Sequence, residues 1–499
     1  MKAKKSLGPD GIPAYVYKGL REILSAPLAY IYNLSLQSGK FPKRWTVSKI
    51  APIPKGENTM DITNHRPIAL IPVPAKIFES ILQSQIYVQV DSQIINAQHG
   101  FRRGRGVQTN LASFAQCLSE HIDRGVQVDT IYTDFRKAFD KVNHSLLITK
   151  MTEMGFNAQA IRFMQSYLTG RTQYVGYKDA ESYSFPCPSG VPQGSNLGPL
   201  LFVIFINDIE KSVRHSNVLL YADDMKIYRS IERKEECYQL QNDLNSIAEW
   251  SEENQLPFNV EKCEKITYTR NTVRTISHTY MINNMQLREI ATVRDLGVFL
   301  DRNVTFKYHT AQLIKQARRR VGFIIRNSKN FKQIQTLRVI YFTLVRSLLE
   351  FGVLVWYPSS ITLSGILESI QKRFLKFLFY KTFEYYPSGM GYEELLQGFE
   401  MHSLEARRRT VSLLFLYDLM RCRVVEPELL SKINLWVPRA NSRSMQTFRT
   451  PSKRTDILGN SVISRALDQY NRLCLSCPDL DIFYQSRNNF RKTILQAKD

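Results

Sequence analysis

The 499-residue chain reads as an α+β protein, with strands and helices mixed through about residue 305 and helices alone beyond it. Three observations carry that reading. Residues 126–135 and 218–228 are rich in β-branched and aromatic side chains that alternate as strands do. Residues 76–90 and 145–168 repeat apolar side chains at helical spacing. From Phe306 onward the helical period dominates, and residues 306–350 hold ten basic side chains against one acid, Glu350.

Taken in order, Gly8-Pro9-Asp10-Gly11 is a turn signal, and an amphipathic helix is predicted over 14–38. Val47–Pro54 alternates like a strand, but Pro52 and Pro54 cannot donate to a ladder, which predicts an edge or hairpin position. The helix over 76–90 follows Pro72 and Pro74. Residues 99–106, HGFRRGRG, set three arginines among three glycines and read as a basic loop. Further strands are predicted at 265–270, 280–282 and 296–300. Residues 438–454 carry Pro and Ser and read as a loop or link to a short terminal helical piece.

Composition narrows the function. Hydrophobic residues make up 43% and charged residues 22%, enough for a substantial core and against wholesale disorder. The net charge of +22 favours a polyanionic partner, either nucleic acid or an anionic membrane surface. The apolar run at 200–206 stops at Asn207, and 341–357 is interrupted by Arg346 and Glu350, so no segment predicts a membrane span. The odd count of seven scattered cysteines suits a reducing compartment. Cys474 and Cys477 form a CxxC pair without the two further ligands a zinc site needs.

The chemistry concentrates in acids. VLLYADDMKIY, residues 218–228, predicts a tight hairpin with Asp223 and Asp224 at its tip. Taken alone, that tip is better read as an exposed turn. Asp134 ends the strand of 126–133. If the two strands are neighbours, three carboxylates converge at one sheet end and suit hard divalent cations, as in-line phosphoryl transfer requires.

Eight blocks then stand in one order: KKSLGPDGI, NHRPIAL, HGFRRGRGVQTN, YTDFRKAFDKVNH, SGVPQGSNLGPLLFVIFINDI, LLYADDMKIY, NVEKCEK and RDLGVFLD. Together they resemble the reverse transcriptases of non-LTR (LINE-type) retrotransposons, nearest the jockey-like elements of insects. The resemblance covers about residues 4–310, and the basic helices to about 380 look like that family's thumb. It implies a right-hand polymerase: fingers in 1–125 with part of 141–190, a palm with a mixed or antiparallel sheet in 126–305, a helical thumb in 306–380, and a C-terminal helical region of unassigned role in 381–499.

Roles follow residue by residue from that resemblance. Asp134, Asp223 and Asp224 match the family's metal-binding acids, which implies two Mg²⁺ ions, replaceable by Mn²⁺, with the carbonyl of Phe135 as a further ligand. Phe139 matches the ring under the incoming sugar; a core aromatic is the competing reading. Gln193 and Gly194 match the contact with template base and nucleotide, and Arg66, assisted by Lys55, the grip on the triphosphate. Lys262 matches the lysine beside the pyrophosphate leaving group. Arg102, Arg103 and Arg105 are expected on the template backbone, and Arg318, Arg319 and Arg320 on the duplex. Asp140 is expected to cap a helix, while Asn207 and Asp208 are expected to be structural groups on a helix surface.

The implied activity is RNA-directed DNA synthesis, with an RNA template, a DNA primer, their hybrid and dNTPs as partners and no membrane. The chain begins almost at the first block, so an endonuclease is expected from elsewhere; action in the nucleus follows only from the lifestyle of related elements. A catalytically dead RNA-binding remnant of a retroelement is the alternative. An intron maturase would need a splicing-assistance region in 310–499, which the sequence does not display.

Overall fold

The structure is a computed structural model that describes residues 7–56, 60–270, 274–358, 360–437 and 446–497. Residues 4–6 of the first block and 438–445 of the expected link lie outside them. The central element is a five-stranded sheet in the order 288–289, 264–268, 127–133, 224–231, 217–221. Gln127–Thr133 lies in its middle, antiparallel to both Asp224–Ile231 and Glu264–Tyr268. The period-two pattern of 126–135 belongs to this fully flanked strand, whose residues are buried on nearly every rung.

Beneath the sheet lies the helix Gly198–Ile206, apolar on every face because it is buried on every face. It joins an apolar cluster with the helices Val73–Val90, Ala158–Leu168 and Lys234–Glu253. The run at 200–206 is therefore core, not membrane, and among the described residues no helix is long and apolar enough to cross a bilayer.

A second sheet sets Val47–Pro54 against His65–Leu70 and Thr172–Tyr177. Val47–Pro54 does form a hairpin but is not a simple edge strand. Its first half, Val47–Ile50, also pairs in parallel with Thr172–Val175, whereas Pro52 and Pro54 face only the hairpin partner. The prolines thus sit on the stretch where a missing N–H costs no ladder bond on the second side.

Past residue 306 the described residues are helical apart from loops and a two-rung pairing of Asn434–Leu435 with Phe448–Arg449. Helices on both sides of residue 380, including Lys307–Asn327, Ile361–Phe383, Leu404–Met420 and Val462–Ser476, share one apolar cluster. Leu111, Ala112 and Ala115 of the helix Val107–Asp123 belong to it as well. Lys432 pairs with Glu120 at 2.7 Å, and the N–H of Thr455 donates to Asp123 at 2.6 Å, so polar contacts close the same seam. Cys474 and Cys477 are free thiols.

Candidate active site

Strand register brings the acids together. The pairing of Gln127–Thr133 with Asp224–Ile231 ends at Thr133, opposite Met225. Asp134 therefore stands one residue beyond, opposite Asp224, across a spacing of about 4.8 Å. The neighbours Leu220 and Tyr221 pair with Met225 and Asp224, which closes the hairpin over Ala222 and Asp223. Ala222 takes φ +58°, a left-handed conformation that costs a residue with a Cβ roughly 1 kcal/mol.

Sequence reasoning missed what holds this turn. Gln98, 1% exposed, accepts at Oε1 from the N–H of Ala222 at 2.9 Å and from that of Gly100 at 2.7 Å. Ala97 and His99 exchange backbone bonds of 2.9 Å with Leu220. A Cβ on Gly100 would overlap the Ala222 nitrogen, so only glycine lets the two segments approach.

The electrostatics are those of crowded anions. Burial first, then Asp134, raises the pKa of Asp223, while its own backbone N–H and Arg66 oppose the rise. Asp224 is exposed at the surface but stands among other carboxylates. Burial, then Asp223, Asp295 and Asp134, push its carboxyl up from 3.8 to about 6. Lys262 lies 3.6 Å from Asp134, and the Asn259 side-chain amide reaches the same carboxylate oxygen at 3.4 Å. Asn259 N–H donates to the Asp134 carbonyl and Arg136 N–H to that of Pro257, leaving the Phe135 carbonyl outside this pairing. Among the described residues no three metal-ligating side chains already stand as one closed cluster. The donor set is nevertheless all oxygen and its mutual repulsion is only partly offset, which fits a hard divalent cation.

Opposite the acids stands the second sheet. Arg66 is exposed on His65–Leu70, and further along that strand the Ala69 N–H donates to the Gln193 carbonyl at 2.7 Å. Gly194, at φ +129°, backs onto Ala69, whose carbonyl would lie 2.6 Å from an added Cβ. Loop 190–199 is tied at both ends. Gly190 and Val191 donate to the carbonyls of Val142 and Phe139 at 2.8 Å each. Asn196 N–H donates to Glu79 at 2.7 Å, and Tyr167 to the same carboxylate at 2.8 Å. Glu79, fully buried, is a second residue that sequence reasoning missed. Its signal was a charge on the apolar stripe Ala75, Phe78, Leu82, Ile86. The buried Gln193 Oε1 has no protein partner and borders a cavity of about 260 Å³ with Lys137, Asp140 and Arg171.

Phe139 is half-buried, stacked on Phe202 at 4.6 Å and edge-on to Phe101 at 6.3 Å. The ring thus packs at the edge of the core. Lys55 is exposed in the loop after Val47–Pro54. Asp140 is not a cap: Lys137 holds the N-cap position of Ala138–Lys141, and Asp140 instead accepts at its carbonyl from Ser189. Asn207 and Asp208, both half-buried, are structural groups, Asn207 bonded to the backbone of Ile95 and Gln93 and Asp208 to Lys150 and Trp250.

Two arginines expected on the template point inward. Arg102 donates to the carbonyl of Ile95 at 2.9 Å and pairs with Asp91. Arg105, with a side chain 1% exposed, pairs with Glu426 at 3.0 Å. The glycines of the loop fold it back on itself, so these guanidiniums replace water with carbonyls and carboxylates. Arg103 stays exposed, over the Tyr87 ring at 4.9 Å. On Lys307–Asn327, Arg318, Arg319 and Arg320 are all exposed, and Arg320 donates to the Leu344 carbonyl at 2.6 Å.

Residues 53–323, more than half of the chain, match the family model described as reverse transcriptase (RNA-dependent DNA polymerase). The chain belongs to the reverse transcriptase family. Similar to this reverse transcriptase is the "RNA-directed DNA polymerase from mobile element jockey" of Drosophila funebris, 30% identical over 332 residues, covering 64% of this chain and 36% of the relative. The "Probable RNA-directed DNA polymerase from transposon BS" of Drosophila melanogaster is 26% identical over 388 residues, covering 75% and 42%. The chain thus spans about two fifths of the length of such relatives. Among solved structures, apo telomerase from Candida tropicalis covers 75% of this chain and 66% of its own, at a TM-score of 0.43 and 12% identity.

Proposed function

We propose that this reverse transcriptase extends the 3′-OH of a DNA primer with dNTPs on an RNA template. The primer oxygen forms a bond to the α-phosphorus, the bond from that phosphorus to the bridging oxygen breaks, and pyrophosphate leaves. The observation that carries this reading is the register that ends at Thr133 opposite Met225 and so brings Asp134 to the sheet end where Asp223 and Asp224 turn, close enough to be felt by both carboxyls.

Asp134, Asp223 and the Phe135 carbonyl, with Asp224 adjacent, would hold two magnesium ions, which when bound activate the attacking oxygen and stabilise the leaving one. Arg66, close enough to Asp223 to be felt by its carboxyl, would grip triphosphate oxygens through its forked guanidinium. Lys262, beside Asp134, would hold a proton for the departing pyrophosphate. Phe139 would set the sugar, and Gln193 and Gly194 the base pair, on a loop bonded to the Phe139 carbonyl. Arg103, Arg318 and Arg319 would lie along the nucleic-acid backbone.

Primer extension on an RNA template with Mg²⁺ or Mn²⁺ tests this, comparing the parent with Asp223→Asn. Product from the parent alone is expected. Product from both places the chemistry elsewhere. Product from neither, with the parent folded, favours the RNA-binding remnant.

A further inference from the structure

The region beyond residue 380 reaches the catalytic turn through one buried acid. Glu426 lies in the connection between Leu404–Met420 and Pro427–Leu430 and is 4% exposed. Its Oε2 is 3.0 Å from Arg105 and 3.6 Å from the fully buried His99. One residue earlier, the Val425 N–H donates to the Gly104 carbonyl at 2.9 Å. Gly104, at φ +71°, presses so closely on this connection that an added Cβ would lie 2.8 Å from Val425 and 3.1 Å from the Arg423 carbonyl. Segment 423–426 therefore clamps loop 99–105 by main chain and by charge together.

That loop is the support of the acid turn. His99 donates its backbone N–H to Leu220, and Gln98, its neighbour, accepts from Ala222, the residue before Asp223. His99 Nδ1 also meets the Thr109 hydroxyl at 2.7 Å, which seats the imidazole against the helix Val107–Asp123. Burial, then Arg105, Lys226 and Arg102, lower the pKa of His99 to about 2, so the ring is neutral and Arg105 is the cation that answers Glu426. The path from Glu426 to Asp223 thus runs through Arg105 and His99, then along the chain to Gln98, and by hydrogen bond to Ala222. Ala222 is held in an unfavourable conformation, so its geometry depends on the neighbours that impose it.

We infer that Glu426 is a positioning residue for the polymerase site, through which the C-terminal region fixes the Ala222–Asp223 turn. The inference rests on the proposed function for its catalytic readout. Its structural readout does not. Burial raises the Glu426 carboxyl to about 7 against the pull of Arg105, so at about pH 8 and above Glu426→Gln keeps the shape and removes the charge that holds Arg105. Amide exchange at Leu220 and Ala222 should quicken at least tenfold, while exchange in the hairpin of residues 292–301, where Thr292–Asp295 pairs antiparallel with Val298–Asp301, stays within twofold of the parent. In primer extension kcat should fall roughly ten- to a hundredfold, the range a small misplacement of reacting groups commands. The KM for dNTP and the affinity for template–primer should stay within twofold.

Lys432→Gln is the control, because it breaks the pair with Glu120 on the same seam without touching loop 99–105; it should change neither readout. Arg105→Lys keeps a cation opposite Glu426 but gives up the fork, and should give a smaller loss of the same pattern even where Glu426→Gln does not fold. Parental exchange at Leu220 and Ala222 in both Glu426→Gln and Arg105→Lys would overturn the inference, as would equal loss in Lys432→Gln. Quickened exchange together with an inactive parent would uphold the coupling and strike the proposed function instead.

Discussion

Replacing Asp295 by leucine should loosen the strand that starts at Asp224. Lys226, two residues along that strand, is 3% exposed and its ammonium bonds to Asp295 on the hairpin of residues 292–301. The rings of Phe114 and Tyr132 lie 4.5 and 5.9 Å from the same nitrogen. Asp295, 6% exposed, also accepts from the Tyr132 hydroxyl at 3.3 Å. Burial lowers the pKa of Lys226, and Asp295 is the main influence opposing it. Removing one partner of a buried pair costs about 3–5 kcal/mol, because the other charge is left without compensation. For Asp295→Leu the lower end applies, about 3 kcal/mol, since the two rings still face the cation. Lys226→Met should cost less, about 2 kcal/mol, because Asp295 keeps the Tyr132 hydroxyl.

The double variant Lys226→Met/Asp295→Leu removes both charges at similar volume and should lie within about 1 kcal/mol of the parent. The assay is urea denaturation read by circular dichroism. Because the described residues form three separate apolar clusters and need not unfold in one step, amide exchange along Asp224–Ile231 supplies the local reading. A double variant as unstable as the two single losses added together would show that the charges are not coupled, and the reasoning would fail.

Gly100→Ala should cost about 3 kcal/mol or more and abolish primer extension, since the overlapping neighbour is the Ala222 backbone and not a side chain that can swing away; a thermal melt and an extension assay check it. Arg318→Ala with Arg319→Ala should weaken binding of an RNA–DNA hybrid without changing base preference. The slope of log K against log salt should flatten by roughly 0.9 for each phosphate left without its cation, and an unchanged slope would take these arginines off the duplex. Arg102→Ala should do the opposite, lowering the melting temperature while leaving the salt slope as in the parent, because its guanidinium serves the Ile95 carbonyl and Asp91.

What could be read beforehand and what could not divide along a physical line. Strand alternation at 126–135, the apolar flanks of Asp223 and Asp224 and the prolines of Val47–Pro54 are local signals, and local backbone chemistry answers them. That Asp134 and Asp224 share a sheet end is a pairing between strands far apart along the chain, and residue spacing leaves it open; the ordered blocks supplied it. The arginines of HGFRRGRG show the limit most plainly. A Gly-rich basic loop states its charge but not its direction, and two of the three guanidiniums turn inward because Asp91 and Glu426 are there to receive them. Glu426 stands far along the chain from Arg105, in a stretch without any motif, so nothing near the loop announces it. Glu79 lay within reach, since an acid among Ala75, Phe78, Leu82 and Ile86 must either be solvated or be bonded inside. A charge that interrupts an apolar helix stripe therefore marks a packed polar junction, and here that junction seats the loop of Gln193 and Gly194.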